Sequence, residues 1–369
     1  MKKVAIDKPF LIITSALCFF GFLLFFSASL GTLDSTANFL KTVVKQFVAL
    51  GIGIGLMVAL AYSKYIDYKK LKYLSLWVFI AAVIFQLFVF IPGIGLEVNG
   101  ARRWVDLGVT SLQPSEFLKI ATILFLSALS VEYGKKLKNF WHLVLVMIFT
   151  IGIVFLLLFA AKDIGTFLVI SLSTLGVLYI SKANNLHVFG LAGLGVSALL
   201  FLVFFFRRYA WDRLVSFSGT STDSLGSDFQ INQSLYTIGS GEIFGRGFGQ
   251  SLQKFAYLPE PLTDSIFAVT AEEWGFFGSV ILILLFLALI IRGINIAKRS
   301  KDLFGMYVVT GLVLLIGVQS FINIAAMLKL FPLSGMPLLF VSQGGSALLG
   351  VLISCGLILN ISRFCKKKV

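Results

Sequence analysis

The feature that most constrains this chain is a recurrence: apolar runs of about 20 residues follow one another from end to end. Each is long enough to cross about 30 Å of hydrocarbon at 1.5 Å per residue. Backbone in lipid must satisfy its own hydrogen bonds, so a spanning chain is either helical or a closed barrel. The alternating apolar and polar pattern of barrel strands is absent. The runs therefore predict an all-α, polytopic integral membrane protein of about ten transmembrane helices, at 9–30, 43–62, 73–91, 114–131, 140–159, 164–181, 186–206, 265–291, 304–328 and 343–361. Composition agrees, with 58% hydrophobic and 13% charged residues in a chain of 369. Ordinary globular domains carry roughly 25% charged residues.

The opening Met-Lys-Lys and apolar run resemble a secretory signal. The run at 9–30 is long for one, however, and reads as a retained first helix. Cys18, Cys355 and Cys365 form neither an even framework nor a CxxC pair, which points away from a disulfide scaffold or a metal site. The net charge of +14 is mostly a topology signal. With ten spans both termini share a side, and 19 of the 31 lysines and arginines fall on it, in clusters such as Lys69, Lys70 and Lys72 or Lys135, Lys136 and Lys138. Lys2, Lys3, Lys64, Arg292, Arg299, Arg363, Lys366, Lys367 and Lys368 belong to the same set. The positive-inside rule makes that side cytoplasmic, and the basic clusters suit anionic membrane lipids rather than nucleic acid.

No repeat, linker or low-complexity tail divides the chain, so residues 1–369 read as one membrane domain. Its irregular material lies on the outer side: modest loops at 92–113 and 329–342, and one long loop at 207–264. Aromatic and aliphatic residues run through the long loop (Phe229, Ile231, Leu235, Tyr236, Phe244, Phe248), which is expected to be ordered and partly packed on the membrane surface.

Four stretches carry polar chemistry. In "GARRWVDLGVTSLQPSEFLKI" (100–120), Pro114 suits a first helical position, Glu116 the first turn, and Lys119 the same face three residues on. One reading is a charged pair that merely enters the membrane together. The other is a functional pair, because ionisable groups inside a membrane are costly. Arg102, Arg103 and Trp104 suit either a headgroup anchor or a phosphate site. In "AKDIGT" (161–166), Asp163 is placed to cap the next helix. The glycine-rich "GSGEIFGRGFG" (239–249) fits no nucleotide-binding pattern and reads as tight turns. In "LPEPLTDSIFAVTAEEWGFFG" (258–278), Thr263 or Asp264 can cap a helix from about residue 265, placing Asp264 at its rim and Glu272 roughly 12 Å deeper. The only histidines, His142 and His187, fall near the cytoplasmic side, away from this chemistry.

In this order, these stretches resemble the SEDS proteins (shape, elongation, division and sporulation), the group of RodA and FtsW. "NGARRWVDLGVTSLQPSEFLKIA" (99–121), "DIGT" (163–166), "FQINQSLYTIGSGEIFGRGFGQS" (229–251), "LPEPLTDSIFAVTAEEWGFFG" (258–278) and "FPLSGMPLLFVSQGGSALL" (331–349) carry the likeness nearly end to end. The resemblance implies an inverting glycosyltransferase that polymerises lipid II into peptidoglycan glycan strands at the outer face of the bacterial cytoplasmic membrane. It implies Asp264 as catalytic base, and Arg102, Arg103, Trp104, Gln113, Glu116, Lys119, Asp163, Gln233 and Ser342 as substrate-binding positions. Arg213 and Arg246 are further candidates to face the pyrophosphate. The resemblance also implies a divalent cation (Mg2+ or Mn2+), no organic cofactor, and a class B penicillin-binding protein as partner. No compact metal-ligand set is visible in the sequence. Leu262, Lys329 and Gln343 depart from the residues usual in the group. A lipid II flippase and a non-enzymatic scaffold are the rival readings.

Overall fold

The computed structural model describes residues 6–32, 36–63, 68–98, 100–108, 110–206, 227–255 and 257–365. Lys2, Lys3, Lys64, Asn99, Arg213 and Lys366 to Lys368 lie outside the described residues, as does the 207–226 part of the long loop. The helices are α1 (Lys8–Ser29), α2 (Thr36–Tyr62), α3 (Tyr68–Leu87), α4 (Pro114–Tyr133), α5 (Phe140–Ala160), α6 (Ile164–Ile180), α7 (Asn185–Phe206), α8 (Ser227–Ser240), α9 (Ile266–Arg299), α10 (Leu303–Met327) and α11 (Gly345–Ser362). Among the described residues, nine helices are long and apolar enough to span a membrane. The apolar α6 is shorter, at 17 residues, or about 26 Å at the usual rise. All ten expected spans are thus helices, and the protein is a multi-pass membrane protein.

Aspartates set several helix starts. Asp7, Asp163 and Asp302 precede α1, α6 and α10, and each accepts a hydrogen bond from a first-turn N–H. The buried centre is α10, packed against α4, α6 and α9, with α11 against α2 and α3 against α4. The outward faces of α2, α3 and α7 remain apolar (Ile52, Leu56, Trp77, Leu194, Phe201), as hydrocarbon requires. The start of α1 and the end of α11 meet at one end of the bundle, where the Asp7 N–H donates to Ser362 Oγ. The Asp7 carboxylate also accepts from Arg292 Nε and Nη2 (both 2.8 Å) and from Arg299 Nη2 (2.6 Å), joining α1 to α9. The three cysteines are buried and free, and burial pushes the Cys365 thiol up to about 11.

Two elements differ from the sequence-based expectation. The 92–113 loop contains a small antiparallel sheet, β1 (Gly95–Val98), β2 (Ala101–Asp106) and β3 (Ser111–Leu112), in the order β1-β2-β3. Strands this short leave too little alternation to read. The second difference is in α9, which runs on to Arg299 and is broken at Gly275 (φ 65°, ψ −163°).

The break explains the glycine-rich loop. A helix would pair Glu272 O with the Phe276 N–H and Glu273 O with the Phe277 N–H. Instead, segment 242–247 inserts between them. Arg246 N and Gly247 N donate to Glu272 O and Glu273 O (2.9 Å each). Phe276 N and Phe277 N donate to Glu242 O and Ile243 O (3.0 and 3.3 Å). All four groups freed by the break are satisfied, which a membrane-embedded backbone demands. Two glycines allow it: Gly245 and Gly275 both have positive φ, and a Cβ on either would strike the other segment's backbone.

Candidate active site

Three polar centres gather at the loop-bearing end and within the bundle. The first surrounds Asp264. Ser265 holds the position before α9 and makes no side-chain cap, while the Thr263 hydroxyl donates to Glu260 Oε2 (2.7 Å). The position before α9 is thus Ser265, one residue on from the expected Asp264, and the Thr263 hydroxyl is turned to Glu260. The main chain here is gripped from outside. Leu262 O accepts from Gln343 N (2.7 Å), Thr263 O from Ser342 Oγ (2.5 Å), and Asp264 O from Asn323 Nδ2 (2.9 Å). Three consecutive carbonyls are thus fixed by α10 and the 331–343 segment, with Asp264 half-buried between solvent and core.

The second centre is the pair on α4. Lys119 Nζ lies 2.7 Å from Glu116 Oε2 and donates to Gln319 Oε1 at 2.6 Å. Both charges are buried, and they border a cavity of about 20 Å³ also lined by Gln319, Val351 and Ser354. That volume suits about one water molecule. Beside this pair, Asp163 collects the neighbouring motif residues. It accepts from Ser115 Oγ (3.1 Å) and Gln113 Nε2 (3.5 Å), and Arg103 Nε stands 3.9 Å away. Arg103 also donates to Lys162 O, and Lys162 Nζ to Gly100 O (2.6 Å), tying β2 to the start of α6.

The third centre lies at the α9 break. Lys254, fully buried, donates to Glu273 Oε1 (2.8 Å), Gly249 O (2.9 Å) and Ser27 O (3.1 Å). Ser27 Oγ donates to the other Glu273 oxygen and accepts from Gly249 N. Glu272 accepts from Ser251 Oγ (2.5 Å) and has Arg246 Nε at 3.6 Å. Lys254 and Arg246 are thus the cations that the two buried glutamates require. Lys254 carried no signal in the sequence, because it meets Glu273 only through the fold.

The structure therefore brings Arg103, Gln113 and Asp163 together, and joins Glu116 to Lys119. It sets other candidates apart. Arg102 is exposed and pairs across the strands with Glu97 (3.0 Å). Trp104 sits opposite Leu96 in the same sheet. Gln233 on α8 donates to Gln253 Oε1 (2.5 Å), within the long loop. The Ser342 hydroxyl is occupied by Thr263 O and by the Leu338 N–H (2.8 Å). Arg246 stands at Glu272 rather than beside Asp264, because the break in α9 draws its backbone there. Asn323 and Gln319, which sequence reasoning passed over, link these centres. Their one signal was an amide spacing of four residues inside an apolar helix.

The cell cycle protein family that groups FtsW, RodA and SpoVE matches residues 8–367. The chain belongs to that family. Stage V sporulation protein E of Bacillus subtilis (strain 168) is 36% identical over 369 residues, covering 99% of both chains. A probable peptidoglycan glycosyltransferase FtsW from Alkalilimnicola ehrlichii is 39% identical over 278 residues, 74% of this chain and 69% of that one. Among solved structures, a chain from a peptidoglycan synthase complex that coordinates polymerization and crosslinking superposes with a TM-score of 0.78 at 27% identity, covering 97% of this chain and 98% of that one. The rod shape determining protein RodA of Thermus thermophilus gives 0.69 at 25% identity and covers 99% of both chains. Membership in the FtsW, RodA and SpoVE family accounts for the five ordered motifs, which here build the Asp264 rim, the α4 pair and the α9 break.

Proposed function

We propose that this protein is an inverting peptidoglycan glycosyltransferase that extends glycan strands from lipid II at the outer face of the cytoplasmic membrane. The observation that carries this reading is the Asp264 rim: a half-buried carboxylate-bearing residue whose main chain is fixed at three successive carbonyls. Relatives named as glycosyltransferases support it. In the reaction, an acceptor sugar hydroxyl attacks the anomeric carbon of the lipid-linked donor. The new C–O bond forms as the bond to the lipid pyrophosphate breaks, and the hydroxyl proton passes to Asp264. Arg103 and Lys162, cations at the loop-bearing end, would offset charge on the departing pyrophosphate. The termini, with their basic clusters, would then face the cytoplasm.

No three His, Cys, Asp or Glu side chains among the described residues gather to hold a metal. The described protein groups alone do not fit a divalent-cation cage. Transport of lipid II is the rival reading, drawing on the buried Glu116–Lys119 pair. The cavity beside that pair, about 20 Å³, is far too small for a sugar headgroup in this conformation.

The test uses purified protein with a class B penicillin-binding partner and fluorescent lipid II in detergent. Detergent removes sidedness, so a flippase has nothing to do there, whereas a polymerase still makes chains. Chain growth is the expected result. Its absence, with transport across vesicles intact, would overturn the assignment.

A further inference from the structure

Helix α10 is apolar and buried, yet it carries Gln319 and Asn323 one turn apart, each about 1% exposed. Polar groups in such a place are costly unless they are used. Both are used toward one segment. Gln319 Nε2 donates to Pro337 O (3.2 Å), while its Oε1 accepts from Lys119 Nζ (2.6 Å). Asn323 Nδ2 donates to Met336 O (2.8 Å) and to Asp264 O (2.9 Å). Adjacent carbonyls of the 331–343 segment are thus read by adjacent amides on α10. The same two amides reach Lys119 on one side and Asp264 on the other.

The orientation of Asn323 is dictated. Reversing its amide would set an oxygen against the Asp264 and Met336 carbonyl oxygens. As placed, Asn323 Oδ1 is buried with no hydrogen-bond partner among the described residues. Its two N–H groups thus go to two separate backbones, the Asp264 and Met336 carbonyls, and tie them to one point on α10.

We propose that Gln319 and Asn323 are positioning residues: an amide ladder on α10 that fixes the Asp264 main chain against the buried Glu116–Lys119 pair, and sets turnover by doing so. The proposal rests on the reading of Asp264 as general base. It assigns the pair on α4 a place in the same device, since Lys119 holds the Gln319 oxygen and thereby aims its N–H groups at Pro337. A base acts only within a narrow range of distance and angle, and a misplacement of about 1 Å can cost about a hundredfold in rate. The ladder acts on the reacting geometry rather than on substrate capture.

The experiment measures chain synthesis by the full protein with its penicillin-binding partner on fluorescent lipid II, beside hydrogen exchange and melting temperature. Asn323→Leu keeps the branching and heavy-atom count of the side chain and removes both donors. The expected result is a fall in kcat of about tenfold or more at unchanged KM, with only a modest drop in melting temperature from the two carbonyls left unpaired. Faster exchange of the Thr263 and Ser265 amides should accompany it. In an Asp264→Ala background, Asn323→Leu should cost nothing further. Wild-type turnover and unchanged exchange in Asn323→Leu, with Asp264→Asn inactive, would overturn the ladder and leave the base intact. An active Asp264→Asn would overturn the base reading itself, and the exchange result then decides the ladder alone. Losses of kcat, KM and melting temperature in step would reduce Asn323 to a structural residue and overturn the proposal. Gln319→Met carries the same readouts should Asn323→Leu fail to fold.

Discussion

Asp264 and the Glu272–Glu273 pair lie on one stretch of chain and are held in opposite ways. Asp264 is fixed through its main chain, with three successive carbonyls gripped by α10 and the 331–343 segment. Glu272 and Glu273 are fixed through their carboxylates, which Ser251, Arg246, Lys254 and Ser27 saturate. Fixing the main chain orders a residue through groups other than its carboxylate. Saturating a carboxylate uses the charge to hold structure. The first arrangement suits chemistry and the second suits architecture, and the polar surroundings of each acid separate them where composition alone does not.

The largest structural effect is expected at Lys254. Its side chain is fully buried, and Lys254→Met leaves Glu273 as an uncompensated charge. Breaking one partner of a buried pair typically costs about 3–5 kcal/mol. A melting temperature several degrees lower, largely restored in the double variant with Glu273→Gln, would sharpen the contrast. A single variant as stable as wild type would break it. A smaller effect is expected at the α9 break itself. Gly275→Ala forces a Cβ into Gly245 at a φ of 65° and should cost roughly 1–3 kcal/mol in chemical unfolding. Proteolysis should then cut the 241–250 loop faster, because that loop supplies the backbone partners of the broken helix.

The smallest effect lies at the other end of the bundle, where Asp7 joins α1 to α9. Burial alone would raise its pKa, but hydrogen bonds from Arg292, the Phe10 N–H and Arg299 outweigh it and hold the carboxyl below its ordinary 3.8. A depressed carboxylate stabilises the fold above the unfolded pKa and loses that contribution as pH falls through the folded value. Asp7→Asn should therefore melt below wild type near neutral pH, and the two should converge as pH drops below about 3.8. A gap independent of pH would mean that the carboxylate's charge contributes nothing.

Much of this was legible in the sequence. Hydropathy located all ten spans, because length and apolarity act locally. Pro114, Glu116 and Lys119 announced their pair, and Asp163 its cap, because these contacts lie within one helical turn. The sheet at 95–112 was hidden by the shortness of its strands. The α9 break was hidden because "EEWGFFG" continues a helical apolar pattern through Gly275. Lys254, Gln319 and Asn323 were hidden for a third reason: their partners are remote in sequence, and no local rule couples an amide on α10 to the carbonyl of Asp264.

The most direct measurement pairs two variants in one assay. Asp264→Asn and Glu273→Gln are each assayed for chain synthesis per folded molecule and for melting temperature. The account predicts a double dissociation. Asp264→Asn loses synthesis by about a hundredfold or more and melts like wild type. Glu273→Gln melts lower and retains most of its synthesis per folded molecule. Near-normal chain growth by a stably folded Asp264→Asn, or an inactive Glu273→Gln of wild-type stability, would contradict the separation of the two acids on which the account stands.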